Sequence, residues 1–372
     1  MIKLEVWDNE FNRYGVLNSF SMIQYNNMFS DVGAFELVCP LSEDNINLLF
    51  GSKDRILWIE DEVAGIIQFN ERVAGSDNDN ISVKGSLLPV MLNWRYIYPQ
   101  YSKKGYPDDI VRELVTQNLV SSGVRAIPRF SVQADTPHTL EQTVYQQTGS
   151  YVGMECTSIA QSHNFGFCVE FRPKTEQFVF RTLYGKDRTL KNTSGNKSVV
   201  FSRQFNNILE SSYLNNREDY RNTAIIAGEG EGAQRVVSTI ESPDVIGFSR
   251  RELFVDARDI QSIPDDIEGL SMTPEEYQIA LQQRGAEKLQ SHIEIESFES
   301  VVRNDNSSQF LYGRDYFLGD KVTVVDTLLN ISTSAVVTEV TVTLDEKGYS
   351  VEPTFGYSQP TLMQKLRKKG VL

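Results

Sequence analysis

Three histidines (His138, His163, His292) and three cysteines (Cys39, Cys156, Cys168) are all that the chain offers for imidazole or thiol chemistry. Cys156, His163 and Cys168 are spaced C-x6-H-x4-C. Zinc sites use tighter pairs and a fourth ligand, and the other two histidines are remote in sequence. The pattern reads as two small buried side chains and a loop histidine. No G-x-S-x-G elbow and no H-E-x-x-H helix occurs. Three cysteines cannot form a disulfide framework. No residue is therefore assigned a catalytic, cofactor-binding or metal-ligating role.

Gly228-Glu229-Gly230-Glu231-Gly232 has the spacing of a phosphate loop but not its electrostatics. A phosphate cradle opens a helix and avoids anions. Here two glutamates interleave the glycines and a strand pattern follows, so a hairpin turn is expected. Paired-carboxylate glycosidase chemistry stays open, because 50 acids always provide pairs and their separation is not in the sequence. Glu60-Asp61-Glu62 and Asp265-Asp266 fall at turns, where solvated charge is the default. Asp77-Asn78-Asp79-Asn80 begins like a calcium loop, but Ser82 and Leu88 stand where its glycine and glutamate belong. The basic run Lys365 to Lys369 has too few charges and no interleaved aromatics for a nucleic-acid groove.

The elements that would position such groups are mostly strands. The 372 residues are 40% hydrophobic and 23% charged, which excludes long disorder. A net charge of −14 opposes sequence-independent grip on nucleic acid. The opening MIKLEVW shows no signal-peptide pattern, and no apolar run reaches the ~20 residues that span a bilayer.

Ile2, Leu4 and Val6 alternate with polar neighbours, and Phe20 to Tyr25, Ala34 to Cys39, Arg55 to Glu60 and Ala64 to Phe69 continue as short strands. Residues 1–98 thus suggest a small barrel or sandwich. Over 99–200 the pattern changes. Pro107-Asp108-Asp109 starts a helix carrying Ile110, Val111, Leu114, Val115 and Leu119, stopped by Gly123. A second short helix is expected over His138 to Gln147, then strands at Phe165 to Phe171 and Gln177 to Leu183. Residues 201–240 return to strand. Thr273-Pro274-Glu275-Glu276 is a capping box whose helix runs to about His292, with Gly285 inside it. Lys321 to Asp326, Val336 to Leu344 and Tyr349 to Phe355 close the chain as strands, before an amphipathic piece at Thr361 to Lys369.

Several stretches resemble bacteriophage tail hub proteins: the baseplate hub of contractile-tailed phages and the N-terminal module of siphophage tail-associated lysins. They are Leu4 to Gly15 leading to Asp31-Val-Gly-Ala-Phe-Glu-Leu37 and Pro40, Val83-Lys-Gly-Ser-Leu-Leu88 with Leu92-Asn-Trp-Arg95, Arg221-Asn222 to Gly228, and Tyr316-Phe-Leu-Gly-Asp-Lys-Val322 before a hairpin ending Phe355-Gly356. The resemblance implies a mainly β, α+β chain: two tube-type β-barrel domains with α/β inserts and peripheral inserted domains. The barrels are expected over 1–98 and over 201–240 with 296–372. The α/β insert would be 99–200 and a helical excursion 241–295.

The implied protein is a non-enzymatic structural hub in the virion, at the phage tail tip or baseplate, assembled in the host cytoplasm. It would form a homotrimer, terminate the tail tube under a distal tail protein ring, and contact other tail-tip proteins and the tape-measure protein. It would let DNA pass during ejection without binding it specifically, and needs no cofactor or membrane span. Some relatives continue into lytic or host-binding domains. With the sequence ending at Leu372, lytic activity is not carried over. The competing readings are a cell-wall hydrolase acting through carboxylates and a carbohydrate-binding protein with aromatics on one exposed face.

Overall fold

A computed structural model describes the chain except residues 1–2, 52–53, 61–62, 74–78, 136–140, 206, 263–271, 303–308, 327–330 and 357–372. The polar tip at Gly75, the candidate calcium-loop residues Asp77 and Asn78, the turn acids Asp61, Glu62, Asp265 and Asp266, His138, and the basic run Lys365 to Lys369 lie outside the described residues. The described chain is mostly β with four α-helices: α1 (Glu43–Leu49), α2 (Pro107–Val115), α3 (Val152–Ser162) and α4 (Pro274–Gln290).

Two compact units divide it: residues 1–25, 30–184 and 220–293 in one, and 26–29, 185–219 and 294–372 in the other. In the first, an antiparallel series runs Ala34–Pro40, Asn80–Leu87, Val63–Val73, Ile56–Glu60, Leu4–Trp7, Arg13–Leu17. A hydrophobic core joins this series to the following insert. Phe11 and Ile56 belong to the same cluster as Ile110, Leu114, Val152 and Phe180, and Phe11 stacks on Phe171 at 5.0 Å between ring centres. The insert read over 99–200 is therefore not a separate core as far as Tyr184.

Two further differences from the sequence reading concern local elements. Thr143–Gln147 is a strand paired antiparallel with Tyr101–Gly105, not the end of a helix. Thr143, Val144 and Tyr145 suit a buried pleat, and a partner strand was available. Conversely α3 carries Gly153, Thr157 and Ser158, weak helix formers, and it is held by burial of Val152, Cys156, Ile159 and Ala160.

Residues 223–240, expected with the later strands, pack instead with α4. Thr223–Ala227 pairs antiparallel with Val237–Ile240 and parallel with Glu252–Asp256. The capping box at Thr273 and Glu276 is formed as read. Gly285 is the contact point: a Cβ there would lie 2.6 Å from Ile226 Cδ1 and 2.8 Å from Ile240 Cδ1. The Gly228–Gly232 segment is the hairpin connection, and several of its backbone groups are already bonded. Arg235 donates to Gly228 O at 2.9 Å and Ala227 O at 2.7 Å, and the Glu229 N–H is taken by the Tyr277 hydroxyl at 2.8 Å.

In the second unit the strands run Ile208–Asn216, Ile295–Val302, Gly348–Gly356, Ile331–Asp345, Lys321–Asp326, Val200–Ser202, the last pair parallel. Phe201 packs on Phe355, Phe310 and the fully buried Tyr316. Asp320, buried, gathers this unit's turns. It accepts from Arg188 Nε at 2.6 Å, Lys186 N–H at 2.7 Å and Phe317 N–H at 3.1 Å.

Removing this carboxylate strands a largely buried guanidinium. Asp320→Ala should lower unfolding free energy by about 3–5 kcal/mol in denaturant titration. Gly285→Ala should destabilise by about 1 kcal/mol, because crowding of Ile226 and Ile240 outweighs the gain in helix propensity. Thermal melting would check it, and a raised midpoint would show that the helix can back away.

Candidate interaction surface

The chain after the short 3-10 helix Leu88–Trp94 alternates. Ile97 is fully buried, whereas Trp94, Tyr96 and Tyr98 point outward, Tyr98 being 70% exposed. Backbone bonds hold the strip: Ile97 N–H to Ser150 O at 2.8 Å, Gly149 N–H to Ile97 O at 3.0 Å, and Val152 N–H to Arg95 O at 3.0 Å. They bring Tyr151 onto Tyr96, ring centres 4.2 Å apart. Arg125 clamps the other side, donating to Tyr98 O at 2.8 Å, while Arg95 Nε donates to Arg125 O at 2.5 Å. The result is a rigid aromatic platform flanked by two guanidiniums, with Met154 and Val124 also exposed. Trp, Tyr and Arg on a preformed surface are the side chains that carry binding energy at protein interfaces.

A second apolar surface lies on the three-stranded sheet. Val237 and Phe254 are exposed on the sheet, and Ile246 and Phe248 on the loop between their strands, Phe248 almost completely. Charges are tied in pairs around it: Arg250 with Glu241 and Glu252, and Asp256 with Arg258 and Arg235. Hydrogen bonding from Arg258, then Arg235, holds the Asp256 carboxyl down at about 2. These ion pairs are largely solvent-exposed and contribute little to stability.

Beneath, a polar network joins α4 to the Thr143–Gln147 strand and α3. Arg284 donates to Asp259 Oδ2 at 3.0 Å and Gln146 O at 2.8 Å. Gln283 bridges Glu287, 3.0 Å away, and the Thr143 hydroxyl at 3.1 Å. Tyr145 donates to Glu155 at 2.6 Å. Burial, reinforced by the neighbouring Glu155 charge and only partly offset by Arg284, pushes the Glu287 carboxyl up to about 7.

The sequence singled out no site residue, and its chemical candidates are dispersed. Cys156 is buried in α3 with its thiol pushed well up by burial. His163 caps that helix and Cys168 lies on the strand Gly166–Arg172. Among the described residues no group of three or more His, Cys, Asp or Glu is arranged to hold a metal, and no helix is long and apolar enough to cross a membrane. The aromatic platform escaped sequence reading because Trp94, Tyr96 and Tyr98 alternate with polar and buried residues as in any strand. Their exposure depends on a segment 50 residues away.

Residues 3–357 match the family model described as Siphovirus ReqiPepy6 Gp37-like protein. The chain belongs to this family. Its fold is that of phage tail proteins. The tail protein from Neisseria meningitidis superposes with a TM-score of 0.57 at 15% identity, covering 96% of this chain and 97% of that one. A prophage 43 kDa tail protein from Shewanella oneidensis gives 0.54 at 10% identity, over 95% and 98%. A prophage tail protein from Listeria monocytogenes gives 0.52 at 10% identity, over 99% and 98%. Comparison with curated proteins gives no match.

The Glu287 environment sets a pH signature. Its folded-state value lies above the ordinary 4.5, so the native protein holds a proton that the unfolded chain has lost. Stability should therefore fall as pH rises from about 4.5 to about 7. Glu287→Gln should remove that slope and give the more stable protein at pH 8, as measured by denaturant titration across pH. An unchanged slope would mean that the carboxyl is already ionised in the fold.

Proposed function

We propose that this siphovirus-family chain is the structural hub of a phage tail tip or baseplate, and not an enzyme. The observation that carries the reading is the aromatic and arginine platform left facing water on a chain of which about 95% follows the tail-protein fold. An aromatic surface held in place before contact loses little entropy on docking, which is what an assembly joint requires.

Three copies would close a ring, because identical head-to-tail contacts terminate only when their rotation closes. Two tube-type β-barrels per subunit, drawn from the two strand series, would then offer six barrels to a distal tail protein ring above. Residues 99–200 and 241–295 would reach the tape-measure protein and other tail-tip proteins. Such a ring carries three times −14, or −42, charges. Acids on the bore repel phosphate, so DNA slides through during ejection instead of adhering. Gating would be a rigid-body or loop movement on host contact. The protein would then be a virion component assembled in the host cytoplasm.

Cryo-electron microscopy of assembled tails, with this chain located by its helices, should find three copies around a central bore. Two, six or peripheral single copies would reject the hub.

A further inference from the structure

α4, the residues leading into the Thr143 strand and the turn after α3 enclose a groove of about 730 Å³ within the first unit. That volume is in the range of small-molecule sites. Its apolar wall is Ile240 and the exposed Ile279. Its polar edge is built from carboxamides. Gln142, Asn164 and Gln282 line it and are exposed, and among the described residues none of the three amides makes a protein hydrogen bond. A fourth amide, Gln283, is fixed by Thr143 and Glu287 and serves as floor.

The imidazole of His163 adds a directed acceptor. Its Nδ1 lies 3.0 Å from Ile159 O, which places the proton on Nδ1 and leaves Nε2 able to accept. Burial holds this ring's pKa down, so it is neutral at pH 7. Among the described residues that line it, Glu141 is the one carboxylate and there is no Lys or Arg.

This combination selects a ligand class. A carboxamide offers a donor and an acceptor side by side, and so does each pair of neighbouring hydroxyls on a sugar ring. The apolar wall matches the C–H face of a pyranose. With no cation and one carboxylate, phosphate and carboxylate ligands would enter unpaired and unfavourably. We propose that this groove binds a neutral saccharide, held by Gln142, Asn164, Gln282 and His163 Nε2 against the Ile240–Ile279 wall. This is a recognition function added to the hub role and independent of it, because the groove is complete within one chain.

The full chain should be tested by saturation-transfer NMR and calorimetry against maltotriose, the N-acetylglucosamine trimer and trigalacturonate, each at about 10 mM, above the weak limit of specific binding. At least one neutral trimer should bind and trigalacturonate should not. Gln282→Ala combined with Asn164→Gly, which suits the left-handed backbone at φ 55°, should weaken binding about tenfold through two lost hydrogen bonds. Ala286→Trp, at an exposed helix position on the lining, should fill the groove and abolish binding while melting unchanged. Silence from both neutral trimers, equal binding of trigalacturonate, or full affinity in either folded variant overturns the proposal. None of these results bears on the copy number in the tail.

Discussion

Within each unit an aromatic ring lies directly on backbone, and glycine makes that approach possible. In the first unit Phe35 lies across two neighbouring strands. A Cβ at Gly65 or at Gly85 would stand 2.5 Å from its ring. In the second unit Phe29 covers Gly319, whose Cβ would stand 2.2 Å away and whose φ is +88°. A ring placed over a glycine replaces the missing side chain and excludes water from the ladder beneath. Phe35, Gly85 and Gly319 all lie in stretches that resemble tail hubs. Those stretches are thus packing signatures and say little about chemistry.

From that packing follows the placement of charge. The acids that matter to the fold are few and buried. Asp320 ties the Lys186–Arg188 segment to the turn at Phe317 in one unit, and Asp108, fully buried at the start of α2, accepts from Tyr184 at 2.5 Å in the other. Arg112, beside it, reaches Thr182 at 2.8 Å. Charges in such positions act through geometry more than through net energy, since their desolvation cancels much of the attraction. Many of the other acids pair loosely at the surface, where the net charge of −14 sets the long-range field of the chain.

Binding surface is organised in the opposite way. The platform around Tyr96 and the sheet face around Phe254 are apolar and exposed, yet both are rigid: one zipped to residues 149–152, the other backed by α4. Exposed aromatics on a stiff support are costly for a solitary soluble protein and useful for one that is covered on assembly. These surfaces are what the proposed docking role rests on.

Much of the local structure was legible from residue patterns. The Pro107 helix start, the Thr273–Glu276 capping box and the hairpin around the glycine-rich loop depend on neighbours a few residues away, and local sequence encodes them directly. Composition and the tail-hub resemblance also sufficed for a mostly β chain of a phage-related family. The strand at Thr143–Gln147 and helix α3 were not legible, because each takes its form from distant burial in place of propensity. The joining of residues 220–240 to α4 hangs on Gly285 meeting Ile226 across nearly sixty residues. The groove and the aromatic platform belong to the same class. Sequence alone determined the locally encoded elements and the family they make. Which side chains meet, and which are left facing water, was decided only by long-range packing, because exposure is a property of the assembled core and not of any window along the chain.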